Sequence, residues 1–217
     1  MDAKTERNRQ KLTDLFSGPF PGHLIIMDPE PQPYTMYRYG DFTLPDLPLA
    51  DWLPVLLRDY EARLRWHEAL DDDSIPYVKL NTGTQLFAAA FGCPVHRYED
   101  SNPCALPCVT TAAEADQLPI PSLDASPFDR VFEMARLIRA RVGPETPIGV
   151  PDIQSAFDIA ALVWRKEEFY IATLNEPEAV QRLVAKCQTL LKAFFDRFRQ
   201  EVGEVNFCHC PNAWAPP

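Results

Sequence analysis

Residues 148–163 read IGVPDIQSAFDIAALV, and the fold turns on how this stretch divides. Ile148 to Val150 is apolar, Pro151 interrupts the run, and Asp152 and Gln154 follow before Ser155. Ser155 with Asp158 three residues later has the pattern of a capping box, in which side-chain oxygens satisfy the open N–H groups of a first helical turn. The stretch therefore predicts a short strand, a polar tip and a helix over 156–172. Packing alone does not require Asp and Gln at a strand end. A strand that feeds a binding site often carries them.

Three further runs have the same form: LIIM at 24–27, PYVKL at 76–80 and VNFC at 205–208, with PIGV at 147–150 completing the set. Each is short, mostly apolar and bounded by Pro, Gly or Asn, as strands buried on both faces are. Helical patterns lie between them. Asp51 is positioned to cap a helix to about residue 69, with Leu53, Leu56, Leu57, Tyr60 and Leu64 on one face. Ser126 as N-cap, Pro127 at the first helical position and Asp129 open a helix whose stripe is Phe128, Val131, Phe132, Ala135, Ile138 and Val142; Gly143 ends it. Asn175 with Pro177 and Glu178 opens the longest helix, to about 202, with Val180, Leu183, Val184, Cys187, Leu190, Leu191, Phe194 and Phe198 on its apolar face. The charged N-terminus, MDAKTERNRQKLTDLF, also reads as a helix. Prolines crowd 19–54 and 103–127, predicting long ordered loops.

Strands alternating with helices predict an α/β fold with about four parallel strands. Each run meets a polar residue at its carboxyl end: Asp28, Asn81, Asp152 and His209. Parallel α/β sheets carry their sites at that end. Asp152 and His209 are the catalytic candidates, and Asp28, Asn81, Gln154, Cys210 and Asn212 the substrate-binding ones. Any one of them could instead be an ordinary cap or turn former, Asp158 included.

Composition narrows the class. The chain has 217 residues, 46% apolar and 24% charged, which suits a single globular domain over 1–217. Its net charge of −10 opposes a phosphate backbone, so nucleic acid is not an expected partner. The N-terminus lacks the apolar core of a signal peptide, and runs such as LFAAAF are too short to span a bilayer. A soluble, cytoplasmic protein is expected. There the six cysteines, at 93, 104, 108, 187, 208 and 210, are expected to be thiols and not a disulfide framework. Cys93, His96, Cys104 and Cys108 form C-x2-H-x7-C-x3-C, without the paired C-x2-C of zinc knuckles, and Cys208-His209-Cys210 crowds its ligands on one turn. No metal site is assigned to either.

Together these segments resemble the uroporphyrinogen decarboxylase superfamily from about residue 20 to the end. IGVPDIQSAFDIAALVWRKEEFYIATLNEPEAVQRLVAKC is similar to its third strand and following helices, with NEPEAVQRLV close to the pattern D/N-x-P-E-x-V-x-x-L-L. IPYVKLNTGTQLFAAAFGCPV resembles the second strand and a short helix ending in Gly, and LPCVTTAAEADQLPIPSLD the excursion before the next helix. The resemblance implies a (β/α)8 barrel and an enzyme: a uroporphyrinogen decarboxylase, or a methyltransferase working with a corrinoid or a thiol. It also implies truncation at the C-terminus, since such barrels take roughly 250 residues or more. Half a barrel leaves open edges, so a homodimer is expected if it stands alone. The arginine-rich motif that decarboxylases carry after strand one corresponds here to MDPEPQPYTMYRYG, without paired arginines. The family's aspartate after strand two falls near Gly83, and its tyrosine near Leu162. An octacarboxylate needs fixed cations. The expectation is therefore methyl transfer involving a corrinoid or a methylated small substrate, with a corrinoid protein as partner; the alternatives are uroporphyrinogen III decarboxylation in tetrapyrrole biosynthesis, and an inactive binding half-barrel. No cofactor is expected within these residues; zinc and a corrinoid are implied for a longer protein.

Overall fold

The computed structural model describes residues 2–27, 47–80, 82–98, 103–124, 127–203, 205–206 and 214–216. Helices dominate: α1 (Ala3–Ser17), α2 (Leu49–Ala69), α3 (Leu86–Ala90), α4 (Ala112–Gln117), α5 (Phe128–Val142), α6 (Ala156–Val163), α7 (Lys166–Asn175) and α8 (Pro177–Val202). Strands β1 (Val78–Lys79), β4 (Ile148–Gly149) and β5 (Val205–Asn206) form a parallel sheet in the order β1-β4-β5. The register pairs Val78 with Ile148, and Ile148 with Val205. Strands β2 (Val95–His96) and β3 (Cys104–Ala105) form a separate antiparallel hairpin.

The expected parallel α/β alternation is present, with three parallel strands among the described residues. LIIM is not one of them. Its N–H groups go to carboxylates: Ile25 N–H donates to Asp73 Oδ2 at 2.9 Å and Met27 N–H to Asp72 Oδ2 at 3.0 Å. Leu24 and Ile26 pack on a satellite cluster of Leu12, Ile75 and Trp214, and Ile25 and Met27 face solvent. An apolar alternation was enough to cover that cluster without a strand partner.

The expected helix over 156–172 is two helices. The chain leaves helical geometry at Trp164 because the segment after β3 claims the backbone there. Cys108 and Val109 N–H groups both donate to the Val163 carbonyl, at 3.0 and 3.1 Å, and Arg165 N–H donates to Val109 O at 2.8 Å. Trp164, 1% exposed, fills the corner. Two expected caps also differ. Asp51 lies in the first turn of α2, whose N-cap is Pro48, and Asn175 closes α7 while Glu176 precedes Pro177 of α8. Ser126 is outside the described residues. The proline-rich stretch 103–127 holds β3 and α4, the latter opened by a Thr111–Glu114 capping box.

α8 organises the core. Its stripe from Val180 to Phe198 is buried as its periodicity predicts, Val184 only partly. Phe194 is wholly buried, its ring centroid 5.3–5.6 Å from those of Phe87, Phe128, Phe132 and Phe198. One side chain thereby ties α3, α5 and α8 together. Lys186 Nζ caps α4 by donating to the carbonyls of Ala115, Asp116 and Leu118 at 2.7–3.0 Å. α1 is docked by Asn8, whose Nδ2 donates to the carbonyls of Asp72 and Ser74, and by Lys11 on Asp73 at 2.7 Å.

Truncating Phe194 to Ala removes contacts to four rings and leaves a cavity, at a cost of about 3–5 kcal/mol; Leu174→Ala, at a site 84% exposed, should stay within ~0.5 kcal/mol. Urea unfolding of both variants checks the contrast.

A second outcome concerns pH. Burial pushes the His67 imidazole below its usual value; Lys4 adds to this, and Asp2 and Asp72 oppose it. A histidine with a depressed folded pKa binds more protons unfolded, so stability falls as pH drops below its unfolded value of about 6.5. Asp2 and Asp73, held below the usual carboxylate range, act only at lower pH. The thermal midpoint should fall between about pH 7.5 and 5.5, and His67→Gln should remove much of that dependence.

Candidate functional site

Parallel pairing of β1 with β4 forces the two segments that follow them to leave the sheet on the same side. After β1 come Leu80, buried at 1% exposure, and Thr82, at 2%. Gly83 turns the chain with φ +78°, into the left-handed region that favours glycine. Gln85 then folds back, its Nε2 donating to Thr82 O at 3.0 Å. A Cβ at Gly83 would lie 2.5 Å from Gln85 Oε1, so a side chain there would displace the Gln85 amide as well as strain the backbone. After β4 come Val150, Pro151, half-buried Asp152 and Gln154, then Ser155. Gln154 Oε1 is buried and has no hydrogen-bond partner among the described residues. Ser155 Oγ accepts from Asp158 N–H at 3.1 Å and donates to Asp158 Oδ2 at 2.8 Å, so Asp158 serves the start of α6.

Asp152 and Gln154 thus stand at the carboxyl tip of β4. The other expected site residues, Asp28, Asn81, His209, Cys210 and Asn212, lie outside the described residues.

Beside the β1 tip is a cavity of about 250 Å³, lined by Thr82, Gln85, Trp52 of α2, Val95 and Arg97 of the hairpin, and Arg130 of α5. α2 and α5 each lead into a strand of the sheet, so their N-terminal ends lie on the side where β1 ends. Arg97 and Arg130 are the charged residues among its described lining. Guanidinium groups are the side chains best suited to an anionic group through charge-assisted hydrogen bonds. Arg130 also donates to Leu47 O, which steadies it. Sequence reading missed this lining because Arg97 and Arg130 sit in unremarkable polar contexts, one in a proline-flanked loop and one in a helix. The missed hairpin is what carries Arg97 to the cavity.

Among the described residues no group of three His, Cys, Asp or Glu is placed to hold a metal ion. His96 stacks edge-on against Tyr98 at 4.4 Å, and the Tyr98 hydroxyl lies 3.6 Å from Cys104 Sγ. Among the described residues these contacts do not assemble a zinc ligand set.

The uroporphyrinogen decarboxylase (URO-D) family model matches residues 73–209. The chain belongs to this family. The match takes in β1, the glycine turn, the hairpin, β4 with its polar tip, and α8; the resemblance read from the sequence reached further, to about residue 20. Among curated proteins, none matches the sequence. Among solved structures, a methyltransferase from Methanosarcina mazei is similar at 14% identity, with a TM-score of 0.47 over 72% of this chain and 56% of that one. This chain therefore spans little more than half that protein's length. No helix among the described residues is long and apolar enough to cross a membrane.

Gly83→Ala should destabilise the chain by about 1–3 kcal/mol through the strained φ and the displaced Gln85 amide. Gly92→Ala also places a side chain at positive φ but meets open space, so it should cost less. Thermal unfolding of the pair checks the difference.

Proposed function

We propose that the chain forms part of a (β/α)8 barrel enzyme of the URO-D family that transfers a methyl group to or from a small anionic substrate, with a separate corrinoid-bearing protein as partner. The observation that supports this over decarboxylation of uroporphyrinogen is the cavity at the β1 tip. It is lined by Arg97 and Arg130 and holds about 250 Å³, below the roughly 300–1,000 Å³ of pockets that take drug-sized ligands. An octacarboxylate would call for many more fixed cations. No step is routed through a corrin bound to these residues.

Within this reading, Arg97 and Arg130 hold the anionic end of the substrate, and Trp52 and Val95 cover its apolar part. Asp152, at the tip of the neighbouring strand, orients the reacting group or moves a proton, with Gln154 beside it as a hydrogen-bond partner. Asp28, Asn81, His209, Cys210 and Asn212 complete the rim in the same proposal. Zinc, which the family's methyltransferase branch uses, would draw its ligands from outside the described residues.

The test uses the full-length protein. Methyl transfer to a corrinoid protein, followed by absorbance, is expected to fall about 10²-fold or more in Asp152→Asn. Arg97→Ala with Arg130→Ala is expected to raise KM more than it lowers kcat. Decarboxylation of uroporphyrinogen at a turnover matching or exceeding methyl transfer would overturn the reading.

A further inference from the structure

The hairpin holds a pair of groups that the proposed reaction does not use. Cys93 precedes β2 and Cys108 follows β3, and their sulfurs are 3.3 Å apart, both as free thiols. The pair is set by backbone contacts on each side. Cys93 N–H donates to Ala88 O at 3.2 Å, Cys108 N–H donates to Val163 O at 3.0 Å, and Leu106 N–H donates to Pro94 O at 2.8 Å to close the hairpin base. Cys93 is buried, at 4% exposure, and Cys108 is exposed. The arrangement is one exposed cysteine whose sulfur lies beside that of a buried one.

We propose that Cys93 and Cys108 are a redox modification site, at which a peroxide oxidises Cys108 and Cys93 resolves it to a disulfide. In the first step the Cys108 thiolate attacks one oxygen of hydrogen peroxide. The O–O bond breaks, the departing hydroxide takes a proton and leaves as water, and Cys108 becomes a sulfenic acid. In the second step Cys93 sulfur attacks Cys108 sulfur, its proton goes to the departing hydroxyl, and a second water leaves. The two thiols lose two electrons, which reduce the peroxide to two waters. A disulfide needs its sulfurs about 2.05 Å apart, so each moves by well under 1 Å from its place here. Burial and the adjoining Cys108 push the Cys93 thiol far up from its usual value, which leaves exposed Cys108 to react first. Cys104, on β3, has Tyr98 as its contact instead.

The bond would close the loop 93–108, which carries Val95 and Arg97 to the cavity. Closing it removes freedom from the unfolded chain and fixes the hairpin base. The purified chain, treated with hydrogen peroxide, alkylated and digested, should yield a Cys93–Cys108 linked peptide about 2 Da lighter than the two thiol peptides together, reversed by dithiothreitol. The thermal midpoint should rise on oxidation in the parent and in Cys104→Ser, but not in Cys108→Ser, where exposure lets the substitution fold. Recovery of Cys108 as sulfinic acid with Cys93 still alkylated would overturn the proposal, and so would a Cys104–Cys108 bridge.

Discussion

The structure depends on a two-residue ladder: Val78 and Lys79 of β1 lie parallel to Ile148 and Gly149 of β4. Val78 and Ile148 are both fully buried, and a side chain at Gly149 would press on the Tyr77 ring at 3.0 Å. A ladder this short has little stability of its own. It persists because helices cover it, α2 against β1 and α5 against β4, and α8 braces α5 through Phe194, which gathers rings from α3 and α5. The aromatic seam and the ladder are therefore one device. The seam sets where the helices lie, and the helices hold the strands side by side.

From that pairing the site follows. Two parallel strands must end on one side, so the Thr82–Gln85 turn and the Asp152–Gln154 tip leave the sheet together. The first residues of α5 reach the same side, because that helix returns the chain to the start of β4, and the hairpin inserted between adds Arg97. Two arginines are thus brought to one cavity from segments far apart in sequence.

This also explains what could be read from residues alone. The stripes of α5 and α8 were legible because helical periodicity reports one buried face directly, and the runs at 76–80 and 147–150 because buried parallel strands are apolar throughout. Ser155 and Asp158 were legible as a helix start for the same local reason. The break at Trp164 was not, because it comes from Cys108 and Val109 taking the Val163 carbonyl, a partnership across more than fifty residues. LIIM misled because its alternation serves a small cluster against α1, with carboxylates in place of a neighbouring strand. Of the site, Asp152 and Gln154 were marked by their place after a strand. The arginines were not, since only the hairpin and α5 together give them a common cavity.

Nuclear Overhauser contacts across the β1–β4 ladder in a deuterated sample test this account most directly. The parallel register predicts close contacts of Val78 with Ile148 and of Lys79 with Gly149, with both chains running the same way. Cross-strand contacts of Val78 with Gly149 and Lys79 with Ile148 in an antiparallel pattern would contradict it, because the polar segments after the two strands would then leave from opposite edges of the sheet.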